Sequence, residues 1–141
     1  MTTNPVVTNL VALKEALQDL ETAVQEPRDY EQSVDHVTHA FLPVYELFHG
    51  TLTMLLERFD VTAETPQDVV RQSHERGWLK GDLALWLHMA NDYERMGKQD
   101  CGGAAAQSMS QDIRACTWLM WETYELLMAK FRWQTQVKGK G

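Results

Sequence analysis

The chain's acid–base and metal-ligand candidates are its five histidines, and three of them, His36, His39 and His49, share one predicted helix with Glu46. The stretch "ELFH" sets Glu46 and His49 at the Glu-x-x-His spacing that carboxylate-bridged metal sites use in helical bundles. Residues three apart lie on neighbouring turns of one helix face, which is why that spacing serves. Such a site also needs a second Glu-x-x-His and further carboxylates. The stretch "WETYELL" offers carboxylates without a histidine. His36, His39 and Glu46 fall on the side of their helix opposite Phe41 and Phe48, outside a bundle core. One helix's motif does not close a ligand set, so the sequence predicts neither metal nor cofactor. His74 and His88 read as solvated singletons.

Other chemistries lack their residues. No Gly-rich phosphate loop follows a strand, and "CGGAAA" leads into a helix without the Lys-Ser/Thr that a phosphate loop requires. There is no G-x-S-x-G. Cys101 and Cys116 fit no paired or metal-spaced pattern and read as reduced thiols of a cytoplasmic protein. The aromatics of "CTWLMWETYELL" recur at helical spacing and read as core rather than as a base-stacking platform. A net charge of −7 argues against non-specific nucleic-acid binding, which depends on Lys and Arg neutralising phosphates. The first residues, "MTTNPVVTNLVALKEALQ", show neither a basic region nor a continuous apolar run, so no signal peptide is expected. No segment approaches the ~20 apolar residues that span a bilayer.

The elements that must position these residues are all helical. Leu10, Leu13, Leu17, Leu20 and Val24 alternate at steps of three and four and predict a helix over 8–25. Pro27 ends it. A long helix follows over 30–59, with Val34, Val37, Phe41, Val44, Phe48, Leu52, Leu55 and Phe59 on its core face. Ala40, Leu47, Thr51 and Met54 form a second flank, so this helix is central or meets another chain; Pro43 is expected to kink it. Thr65, Pro66 and Asp68 start a short helix over 66–76, which Gly77 closes. Asp82 is placed to cap a fourth helix, with Leu83, Trp86, Leu87, Ala90 and Tyr93 inward. Met109, Ile113, Cys116, Met120, Tyr124, Leu127 and Phe131 mark a fifth over 104–133. No run alternates with period two. The 141 residues therefore predict one all-α domain, an up-and-down bundle of four or five helices ordered over about 8–133, with a flexible tail over 134–141.

"FLPVYELFHGTLTMLLE", residues 41–57, resembles the Tyr-Glu-Leu-x-x-x-x-Thr-Leu helix of the nucleotidyltransferase substrate-binding protein family, part of the HEPN superfamily of helical bundles. Tyr45, Glu46, Leu47, Thr51 and Leu52 carry the match. "ETPQDVVRQSHERGWLKG" is similar to the next family block through Pro66, Val69, Val70, Arg71 and Gly77, and "DLALWLHM" to the following one through Trp86, Leu87 and Met89. "LKEALQDLETAV" fits the first helix, and the blocks keep their order over about 8–133. The resemblance implies a homodimer whose partner is a separate, minimal nucleotidyltransferase, in many cases as a toxin–antidote pair. Ribonuclease members carry Arg-x4–6-His on the fourth helix. In them, Arg stabilises charge on phosphate, His handles the proton of the attacking 2′-hydroxyl, and a Tyr two residues on accepts adenylyl groups.

Aligned on Trp86 and Leu87, the family's Arg-Asn falls on Tyr93-Glu94, its His on Lys98 and its Tyr on Asp100, within "YERMGKQD". No shift restores the motif: Arg95 follows the last histidine, His88, and no other arginine precedes a histidine by five to seven residues. Lysine with an ordinary pKa near ~10 is a poor base at neutrality, and Glu94 would repel phosphate. The sequence therefore predicts no catalytic residue. Its expected binding positions, for substrate or partner, are Tyr45, Glu46, Tyr93, Glu94, Lys98 and Asp100, with Glu46 having an equal claim to a structural role. Two other readings stay open: an enzyme, either a diverged ribonuclease or toxin using Lys98 with a histidine from elsewhere or a metal site at Glu46 and His49, and a protein-interaction bundle without a nucleotidyltransferase.

Overall fold

The first leucine stripe builds α1, Pro5–Gln25, and buries Val6, Leu10, Leu13, Leu17 and Leu20 completely. The computed structural model describes residues 5–25, 30–97 and 104–132. The remaining helices are α2, Tyr30–Arg58; α3, Pro66–Glu75; α4, Leu83–Gly97; and α5, Ala104–Leu127, which continues into a π-helical turn, Met128–Arg132. No strand occurs among the described residues. The predicted tail over 134–141 lies outside them.

The architecture is an all-α, up-and-down bundle. α1 packs along α2, α5 lies against both, and α3 and α4 pair as an inserted helical hairpin that rests on α2. The core is where the periodicity puts it: Val37, Phe41, Val44, Phe48, Leu52 and Leu55 of α2 meet Met109, Ile113, Met120 and Leu127 of α5. Each such side chain contributes about 1.5–3 kcal/mol by leaving water. The second flank of α2 is largely used within the chain, since Ala40, Leu47 and Met54 are half-buried against the core and Thr51 is fully buried. The hydroxyl of Thr51 donates to the Leu47 carbonyl at 2.7 Å, which satisfies it inside the helix.

Helix ends follow local rules. The Thr65 side chain accepts from the Asp68 N–H at 3.1 Å, with Pro66 in the first turn. α3 closes in a Schellman arrangement, in which Gly77 at φ +76° donates to the His74 carbonyl and Trp78 to that of Ser73. α2 closes the same way one residue earlier than its apolar pattern suggests. Asp60 takes φ 60° and donates to Glu57, and Val61 donates to Leu56. Phe59 was expected on the core face, but the helix has ended, the residue is 53% exposed, and its ring leans on Trp78 at 5.6 Å. Arg114 reaches from α5 to the Val24 carbonyl at 2.8 Å and satisfies an acceptor in the last turn of α1. At the start of α4, the Asp82 carbonyl accepts from the Leu85 N–H at 3.1 Å.

The link between α3 and α4 is tied down at three points. Trp86 Nε1 donates to the Lys80 carbonyl at 2.7 Å, the Lys80 N–H donates to the buried Thr123 hydroxyl at 3.1 Å, and His74 Nε2 lies 3.0 Å from the Gly81 carbonyl. A carbonyl only accepts, so that contact requires the proton on His74 Nε2. His74, expected to be solvated, is instead a clasp on this loop. The clasp holds the start of α4 and hence sets where its penultimate turn meets α2.

Candidate functional site

Neighbours on a helix point about 100° apart, so Tyr45 and Glu46 of α2 separate: Tyr45 is buried and Glu46 is exposed. Aromatic rings fill the seam to α4. Phe48 meets Trp86 edge-on at 5.4 Å deep in the seam, and Tyr45 stacks on Tyr93 at 4.7 Å with 26° between planes near the surface. Tyr93 stands on the penultimate turn of α4 and its hydroxyl donates to Glu46 Oε2 at 3.5 Å, long for an O–H···O bond. The stack therefore holds the pair more firmly than the hydrogen bond does. Phe41 extends the aromatic row inward from Tyr45 at 5.7 Å.

Glu94, one residue on, joins the same surface. Gln67 of α3 donates to Glu94 Oε1 at 2.7 Å and to Asn91 Oδ1 at 2.9 Å, which ties the hairpin helices together beside the tyrosines. The electrostatics keep both phenols neutral. Burial pushes the Tyr45 hydroxyl well above the ordinary tyrosine range, with Tyr93 and the Glu94 charge adding to it. Tyr93 is also raised, first by burial, then by the Glu46 charge and by the hydrogen bond to that carboxylate. Neither group offers a base at neutral pH. What the arrangement offers a partner is the half-buried Tyr93, backed by the buried Tyr45 and rimmed by Glu46, Glu94, Gln67 and Asn91, whose polar groups can exchange hydrogen bonds.

The structure thus brings together Tyr45, Glu46, Tyr93 and Glu94, which come from α2 and α4. Lys98 and Asp100 lie outside the described residues. Glu46 and His49 belong to no set of three metal-capable side chains among the described residues. His49 is half-buried, its Nδ1 has no hydrogen-bond partner, and burial lowers its pKa. His88, expected to be a solvated singleton, is not alone. It forms a close set with Asp92 of α4 and Asp112 of α5. The only sequence signal for that set was the four-residue spacing of His88 and Asp92; the third member comes from another helix.

No described helix is long and apolar enough to cross a membrane. Comparison with protein-family models, with curated proteins and with solved structures gave no match.

Proposed function

We propose that this chain is a non-catalytic, homodimeric helical-bundle subunit that docks on a minimal nucleotidyltransferase through a patch centred on Tyr93 and Glu46, which the buried Tyr45 backs. The observation that carries the reading is the stack itself. It joins the Tyr-Glu of the family-like α2 block to the α4 turn where ribonuclease members of that family hold their arginine. At that turn the chain presents a neutral phenol beside two carboxylates. An in-line attack by a 2′-hydroxyl needs a group titrating near neutrality and a cation held at phosphate. The phenols do not titrate there, and Glu46 and Glu94 repel an anion. A hydrogen-bonding aromatic surface with an acidic rim instead suits a basic protein face, since tyrosines supply contact area at low entropic cost. Homodimerisation rests on the ordered resemblance of the α1, α2, α3 and α4 blocks.

The test is to search the genes flanking this chain's own for a minimal nucleotidyltransferase and to attempt its capture. The tagged wild-type chain is expected to retain it, and Glu46→Lys and Tyr93→Ala are each expected to weaken binding at least tenfold while circular dichroism still shows folded helix. Equal retention by wild type and both variants would remove the patch from the interface, and no retention by wild type would remove the partner.

A further inference from the structure

α4 carries His88 and Asp92 one turn apart, and α5 brings Asp112 opposite them; one ligand atom from each lies within 4.8 Å of the others. The three are graded in depth. His88 is exposed, Asp112 is half-buried, and Asp92 is only 3% exposed. Asp92 Oδ2 is buried and has no hydrogen-bond partner. His88 Nε2 comes to 2.9 Å from Asp112 Oδ2, but off the direction a hydrogen bond requires, so that oxygen too has none. A buried carboxylate oxygen without a partner is costly, and one facing a second carboxylate is costlier still. His88 and Arg95 offset this in part, yet burial and the Asp112 charge still hold the Asp92 carboxyl above the usual carboxylate range. The facing Asp92 and Asp112 oxygens are therefore not hydrogen-bonded within the chain, and a cation between them would satisfy both.

We propose that His88, Asp92 and Asp112 form a three-ligand site for a first-row divalent transition ion, with Asp92 as its floor and its open positions toward solvent on the His88 side. One imidazole nitrogen and two carboxylate oxygens suit Zn2+, Co2+ or Mn2+. Ca2+ asks for six to eight oxygens, and Cu+ prefers thiolate or thioether sulfur. Ligand atoms around a four-coordinate ion at ~2.0–2.2 Å sit roughly 3.3–3.6 Å apart. Rotation of the exposed His88 ring and of the Asp112 carboxylate closes the set to that size. The ion would tie α4 to α5, which otherwise make little direct contact. This site is separate from the tyrosine patch and does not depend on the proposed partner.

The experiment uses the full chain stripped with chelator and then titrated with Zn2+, Mn2+ or Co2+ alone. Equilibrium dialysis is expected to show one ion per chain, saturating Zn2+ to raise the Tm by roughly 5–10 °C, and Co2+ to give visible d–d absorption. Asp92→Asn, His88→Gln and Asp112→Asn are each expected to remove the Tm response and the Co2+ spectrum. Asp92→Asn is expected to leave the metal-free Tm equal to or above wild type, because it removes a buried charge. His88→Gln, at an exposed position, guards against loss of the response through misfolding. Absence of uptake by wild type, or a metal response that survives both Asp92→Asn and His88→Gln, would overturn the proposal.

Discussion

Tyr93 lies half-buried between Tyr45, on which it stacks, and Glu46, to which its hydroxyl points. Its truncation, Tyr93→Ala, is expected to cost about 1–2 kcal/mol in urea unfolding, mostly from the lost ring contact; Tyr93→Phe is expected to cost less than ~0.5 kcal/mol, since a 3.5 Å bond contributes little. Titration follows from the same geometry. A phenol whose folded-state pKa is raised adds stability in full below its ordinary value of about 10, and that contribution fades as pH rises through the folded value. Tyr45 is such a group. Alkaline loss of stability above about pH 10 should therefore be shallower in Tyr45→Phe, read by denaturation at several pH values. His49 acts at the other end with the opposite sign. Burial lowers its pKa, so its contribution is present above about 6.5 and is lost as pH falls through the lowered value; His49→Gln should flatten that acid limb. The sequence singled out Tyr45, Glu46, Tyr93 and Glu94 through blocks that resemble a family pattern, and the structure brings the four together. The sequence did not make Gln67 legible, because a link from α3 to α4 depends on how the hairpin closes. Asp92 was not legible either, because whether it is buried depends on what α5 lays against it.

At the scale of elements, two glycines separate backbone strain from steric space. Gly77 and Gly81 both have positive φ, +76° and +82°. A Cβ on Gly77 would meet nothing within 4 Å, while one on Gly81 would come to 2.5 Å from Leu119 Cδ1, in a fully buried side chain. Gly77→Ala should therefore cost about 1–2 kcal/mol, the left-handed backbone penalty alone, and Gly81→Ala about 1–3 kcal/mol more for overpacking. Equal losses in chemical denaturation would contradict this account of the loop. Helix positions were legible because their ends carry local chemistry, such as the Thr65 cap and the Gly77 stop. Phe59 was misplaced because Asp60 adopts a left-handed conformation that periodicity does not reveal. His74 was misread because its acceptor, the Gly81 carbonyl, lies in a loop whose path is set by Trp86 and Thr123.

At the scale of the molecule, an acidic bundle of 16.2 kDa presents few large apolar side chains to solvent among the described residues: Val11, Phe59, Leu85 and Trp118. The excess apolar flank of α2, a sequence argument for self-association, is mostly consumed by the chain's own core, so the proposed homodimer has to be read from mass. The purified chain is also expected to leave RNA intact, and Lys98→Ala to change nothing, because neither phenol of the patch offers a base at neutral pH. The most direct test of the partner-subunit reading is the mass, by light scattering after size exclusion, of the chain alone and mixed with any minimal nucleotidyltransferase found among the neighbouring genes. The account predicts that the chain alone has twice its single-chain mass, and that the mixture gives one heavier peak containing both proteins. Two separate peaks at micromolar concentration, with this chain at its monomer mass, would contradict it.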